Sequence, residues 1–113
     1  MIVLIGSHPK GFDEPFHPTT RSGKILRSII GENSSYVFFD IWRDEAEQKS
    51  GQISIGVLEQ LNEYLESGYK LIALGKIVQK ALADRNVPIE CLPHPASRRK
   101  IDQVALKAGL ISR

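Results

Sequence analysis

Four short apolar runs, each followed by apolar residues at helical spacing or by a long polar loop that leads into them, constrain this chain more than anything else in it. The runs occupy residues 1–5, 36–42, 69–74 and 89–92 and are rich in β-branched and aromatic side chains. Their length and composition are those of buried strands. Residues 22–30 read as a helix with Ile25, Leu26, Ile29 and Ile30 on one face and Gly31 as a stop. Residues 53–67 read as the longest helix, with Val57, Leu58, Leu61, Tyr64 and Leu65 on one face and Gly68 closing it. A third helix runs over 75–83 with Ile77, Val78, Ala81 and Leu82 inward, and a fourth over 98–108 with Ile101, Val104, Ala105 and Ala108 inward. Stretches 7–21 and 43–52 read as loops, the first broken by Pro9, Gly11, Pro15 and Pro18.

Strands that alternate with helices pair in parallel, because the helix supplies the crossover, and a parallel sheet needs both faces covered. The expected fold is therefore one α/β domain over residues 1–113: a three-layer α/β/α arrangement around a four-stranded parallel sheet. Right-handed crossovers put every strand C-terminus on one edge, and that edge is where ligands bind in such sheets.

That edge should gather Ser7, His8 and Pro9 after the first strand, Asp40 and Trp42 after the second, Gly75 and Lys76 after the third, and residues 93–99 after the fourth. The long loop would add Asp13, Glu14, Phe16 and His17, of which His17 reads as a surface residue. His94 stands between Pro93 and Pro95, which stiffen its backbone. Ser97 is a suitable helix N-cap, and Arg98, Arg99 and Lys100 follow it. Cations in a first helical turn oppose the helix dipole, whereas a bound anion would make them favourable. A phosphate-bearing partner is the preferred reading of that pattern and a solvated basic turn the alternative; the net charge of +2 alone does not require a phosphate.

Cys91 is the single cysteine, so an internal disulfide and a thiolate metal cage are excluded and no metal or cofactor is expected. The first residues lack a basic segment of the signal-peptide kind. No apolar run approaches the roughly 20 residues that span a bilayer. The expectation is a cytoplasmic protein with no membrane partner.

Several of these residues, taken in order, resemble the uracil-DNA glycosylase superfamily. Gly6-Ser7-His8-Pro9 is similar to its first-strand loop, Pro15-Phe16 and the segment from Arg21 to Leu26 to its next loop and helix start, Leu71 to Lys76 with Ala81-Leu82 to its third strand and helix, and His94-Pro95-Ala96-Ser97 to its His-Pro-Ser loop. The resemblance implies a uracil-DNA glycosylase-like fold and removal of uracil or a modified pyrimidine from single- or double-stranded DNA. It implies His8, His94 and Asp13 as catalytic residues, His94 stabilising charge on the departing base. It implies Phe16 and Asp40 as base-binding residues, and Ser22, Lys76, Ser97, Arg98 and Arg99 as holders of DNA phosphates. Ser7 and His8 stand where the family carries an acidic or amide residue, and Ala96 where it carries serine. A non-catalytic nucleic-acid or nucleotide-binding domain on the same fold is the second reading, and a hydrolase or transferase of free nucleotides the third.

Overall fold

A computed structural model describes residues 1–31 and 35–111. Their elements are β1 (Ile2–Gly6), α1 (Arg21–Ile30), β2 (Tyr36–Asp40), α2 (Glu45–Ser50), α3 (Ile55–Glu66), β3 (Lys70–Leu74), α4 (Lys76–Ala83), β4 (Glu90–Leu92) and α5 (Lys100–Ile111). The four strands form one all-parallel sheet in the order β2-β1-β3-β4.

Period-two alternation along β1 builds the layers. Val3 and Ile5 join Leu71 and Ala73 of β3 beneath Leu61 of α3 and Val78 and Leu82 of α4. Leu4 joins Ile72 and Leu74 beneath Leu26 of α1 and Leu106 and Leu110 of α5. Helices thus cover both faces of the sheet. Tyr36 ties the second layer together by donating its hydroxyl to the Leu110 carbonyl at 2.9 Å. No helix among the described residues is long and apolar enough to cross a membrane.

Strand order fixes where a ligand can enter. From β1 the chain steps outward to β2, then crosses back to β3 on the other side of β1. The connections therefore diverge between β1 and β3, and a crevice opens at their C-terminal ends. Ser7 and His8 leave β1 there, and Gly75 and Lys76 leave β3.

The structure corrects the sequence reading in three places. Residues 45–50, expected to be loop, form α2, which buries no residue. Its signals are the caps: the Asp44 side chain accepts from the Glu47 N–H, and Gly51 takes the left-handed conformation at φ 72°. Its exposed ion pairs, Arg43–Glu47 and Lys49–Glu45, are spaced four apart. Second, Ile77 is 62% exposed, and Val78 and Leu82 alone are the buried side chains of α4. Third, α5 is rotated: Ile101 and Val104 are 67% and 60% exposed, and Leu106 and Leu110 face the core instead. Asp102 and Gln103 hold the preceding loop (below), and that contact turns the 102–106–110 side of the helix toward the sheet.

Candidate functional site

His94 lies at the centre of the strand C-terminal edge. It lines a small cavity together with Ser7, His8, Pro9, Lys10, Phe16, His17, Thr20 and Ser22. It also lines two open clefts, one with Gly75, Lys76, Cys91, Ser97, Arg99 and Asp102, the other with Ser7, His8, Lys10, Gln48, Gly75 and Lys76. Segments far apart in the chain, after β1 and after β4, therefore meet around one imidazole.

Gly75 makes that position possible. It sits at φ 99°, a backbone conformation side chains disfavour, and a Cβ there would come within 3.2 Å of the His94 Cβ. The His94 Nδ1 accepts the Ala96 N–H at 3.0 Å. A neutral ring whose Nδ1 accepts carries its proton on Nε2. Burial, and then the nearby Lys10 charge, push the His94 pKa below its ordinary value, so the neutral donor form prevails at pH 7. His8 has the same local pattern: its Nδ1 accepts the Lys10 N–H at 3.2 Å.

Phe16 is held as a fixed aromatic wall. Its carbonyl accepts from the Arg27 guanidinium, and Arg27 in turn lies 5.1 Å from the centroid of the Phe38 ring. Phe16 and Phe38 meet edge to face with centroids 5.4 Å apart. On the other side the Phe16–His17 backbone lies directly on Gly23 of α1, where a Cβ would overlap both carbonyl oxygens. Between Lys10 and Glu14 the loop is exposed, and the Phe12 N–H reaches only back to the Pro9 carbonyl at 3.1 Å. The Phe12 ring stacks on the His17 ring with centroids 4.2 Å apart, so the exposed turn is fastened to the cavity lining through that pair.

Asp40 ends β2 opposite Gly6, and a Cβ on Gly6 would lie 2.8 Å from its Oδ1 and 2.5 Å from the Phe16 Cζ. Its Oδ2 is buried without a hydrogen-bond partner. Burial pushes the Asp40 pKa up to about 7. Below pH 4 this carboxyl is protonated whether the chain is folded or not, since its ordinary pKa is 3.8. Between pH 4 and 7 the unfolded chain has lost the proton and the folded one keeps it, so Asp40 lowers stability progressively as pH rises, levelling off above 7. Asp40→Asn keeps the shape without the titration. In urea unfolding from pH 4 to pH 8, its stability relative to the unsubstituted protein is expected to rise through that window.

The cavity between Phe16 and His94 measures about 20 Å³. That accommodates a water molecule, for which roughly 10–15 Å³ suffices, and not a nucleobase. The clefts are larger, about 530 Å³ on the Arg99 side and 330 Å³ on the Gln48 side.

Comparison of the chain with protein-family models, with curated proteins and with solved structures found no match.

The structure brings most of the sequence-derived candidates together. His8, His94, Phe16 and Ser22 share the small cavity, and Lys76, Ser97 and Arg99 share the adjoining cleft. Asp13 and Arg98 are exposed and line none of these spaces. Ser22 is only 6% exposed, so it can meet a ligand only within the cavity. Trp42 is 3% exposed and donates its indole N–H to the Gln52 carbonyl at 2.9 Å, which makes it a core residue. His17, read as a surface residue, lines the cavity. The helix begins at Lys100, so Arg98 and Arg99 precede its first turn and Asp102 lies within it. Ser97, expected to cap that turn, donates its hydroxyl to the Asp102 Oδ2 at 2.7 Å.

Sequence reasoning missed Lys10, Gln48 and Gln103. Gln48 comes from the helix read as loop, and nothing in its neighbourhood marks it. Lys10 has one local signal, its place two residues beyond His8 in the first-strand loop.

Proposed function

We propose that this chain is a divergent DNA glycosylase of the uracil-DNA glycosylase type, hydrolysing the N-glycosidic bond of uracil or a modified pyrimidine. The observation that carries the reading is the His94 arrangement. A neutral imidazole, its tautomer set by the Ala96 N–H, stands between an aromatic wall and a cleft lined by Lys76, Arg99 and Asp102.

Cleaving the bond leaves the electron pair on the base and positive character on the sugar. The Nε2–H of His94 donates to the pyrimidine carbonyl oxygen on which that charge gathers, and a fixed donor in a partly dry site is worth more than the same group in water. Phe16 gives the extruded ring a face to stack on. His8, across the cavity, orients the water that completes hydrolysis. Entry of the base requires displacement of the exposed outer turn, residues 10–14, and with it separation of the stacked Phe12 and His17 rings. Lys76 and Arg99 take the flanking phosphates beside Ser97.

A second reading has one observation in its favour: among the described residues no carboxylate lines the small cavity. On that reading the chain binds nucleic acid or a nucleotide and leaves the base in place. Single- and double-stranded oligonucleotides carrying uracil or modified pyrimidines separate the two, with abasic sites scored by alkaline cleavage. Base release is the expected result; tight binding with intact bases would give the second reading, and no binding would remove both. Lys76→Ala and Arg99→Ala are each expected to weaken oligonucleotide binding regardless of sequence. For duplex, each lowers the slope of log affinity against log salt by about 0.9.

A further inference from the structure

The loop that carries His94 is gripped from α5 in a way the sequence reading does not anticipate. The side-chain amide of Gln103 donates to two carbonyls of that loop, Pro95 at 2.9 Å and Ser97 at 2.5 Å. The carbonyl between them, on Ala96, accepts from the Arg21 guanidinium at 3.4 Å. Ser97 is further fixed through its hydroxyl to Asp102. Ala96 is also the residue whose N–H fixes the His94 tautomer. One side chain on α5 therefore brackets the peptide unit that decides which His94 nitrogen carries a proton.

We propose that Gln103 is a positioning residue for His94, clamping the Pro95–Ser97 backbone so that the Ala96 N–H stays on Nδ1 and Nε2–H remains the donor. Gln103 touches neither base nor sugar on this account; it acts through the loop. The proposal rests on the glycosylase reading for its kinetic consequence, but its structural consequence can be read without activity.

The test uses Gln103→Met, which keeps the length and packing of the side chain and removes its N–H donors, and Gln103→Lys, which restores a donor at similar reach. Nitrogen NMR of the His94 ring reports the tautomer directly. The unsubstituted protein is expected to show Nε2–H alone, Gln103→Met a mixture of tautomers, and Gln103→Lys a return toward Nε2–H. With a uracil oligonucleotide, Gln103→Met should lower kcat by about 10- to 100-fold, as small misplacements of a catalytic group do, with KM nearly unchanged. A folded Gln103→Met protein with an unaltered His94 signature would overturn the proposal. So would a Gln103→Lys protein whose ring is as scrambled as in the methionine variant. If the methionine variant does not fold, the lysine variant decides: a retained Nε2–H signature supports the clamp and a lost one overturns it. Absence of base release by the unsubstituted protein would count against the glycosylase reading and leave the ring measurement intact.

Discussion

His94→Ala should lower the single-turnover rate of base release by about 10²- to 10³-fold, the usual cost of removing one well-placed donor to a developing negative charge. On the glycosylase reading the substrate KM should change little, because the proposed ground-state contacts to DNA are those of Lys76 and Arg99 in the adjoining cleft. The pH profile carries a sign. The donor is the neutral ring, whose pKa burial and Lys10 hold below the ordinary 6.5, so activity should persist through neutral pH without the break near 6.5 that a required imidazolium would produce. A rate that falls as pH rises through 6–7, and still does so in Asp40→Asn, would show instead that His94 must be charged. His94→Gln retains a donor and should recover part of the loss. An alanine variant with full activity would remove His94 from the chemistry altogether.

The largest expected loss of stability is at Gly23. In Gly23→Ala the new Cβ would overlap the carbonyl oxygens of Phe16 and His17, and both belong to backbone, which cannot rotate away. Overpacking against a fixed surface costs about 3 kcal/mol or more. For a domain of this size that lowers the melting temperature by roughly 10–20 °C. The site should suffer with the fold, since the same contact seats the Phe16 wall. Gly56→Ala is the control: a Cβ there meets nothing within 4 Å, and in a helix alanine is favoured over glycine by about 1 kcal/mol. Calorimetry of the two variants should show shifts of opposite sign; equal or negligible shifts would mean that α1 and the loop are not packed as described.

The contrast between α2 and α5 shows how far a sequence can be read. Helix α2 escaped notice because apolar periodicity is a record of burial, and α2 buries nothing; only its caps and its ion pairs mark it. Helix α5 was recognised as a helix but assigned the wrong face. It carries two apolar stripes, one through Ile101, Val104, Ala105 and Ala108, the other through Leu106 and Leu110. Periodicity alone does not choose between them. The side chains of Asp102 and Gln103 do, by binding the Ser97 hydroxyl and the Pro95 and Ser97 carbonyls.

The candidate site divides in the same way. That His8 and His94 would lie on one edge followed from strand–helix alternation, because handed crossovers leave strand ends no other arrangement. Phe16 was visible as an aromatic beside proline, but not as a wall, since its fixation depends on Arg27 and on the missing side chain of Gly23. Asp13 and Asp40 were equally plausible carboxylates on paper. The first stands exposed at the surface, while the sheet end buries the second and drives its pKa up to about 7.

The order of residues determined the parallel α/β class, the four strands and the edge on which His8 and His94 meet, because each depends on local patterning and on the handedness of L-amino acids. The tertiary structure alone decided which face of α5 is buried, which nitrogen of His94 carries the proton and which carboxyl is forced toward neutrality. The buried face of α5 and the burial of Asp40 arise where side chains distant in the chain touch, and the His94 tautomer arises from the fold of its own loop; none of these leaves a periodic trace in sequence.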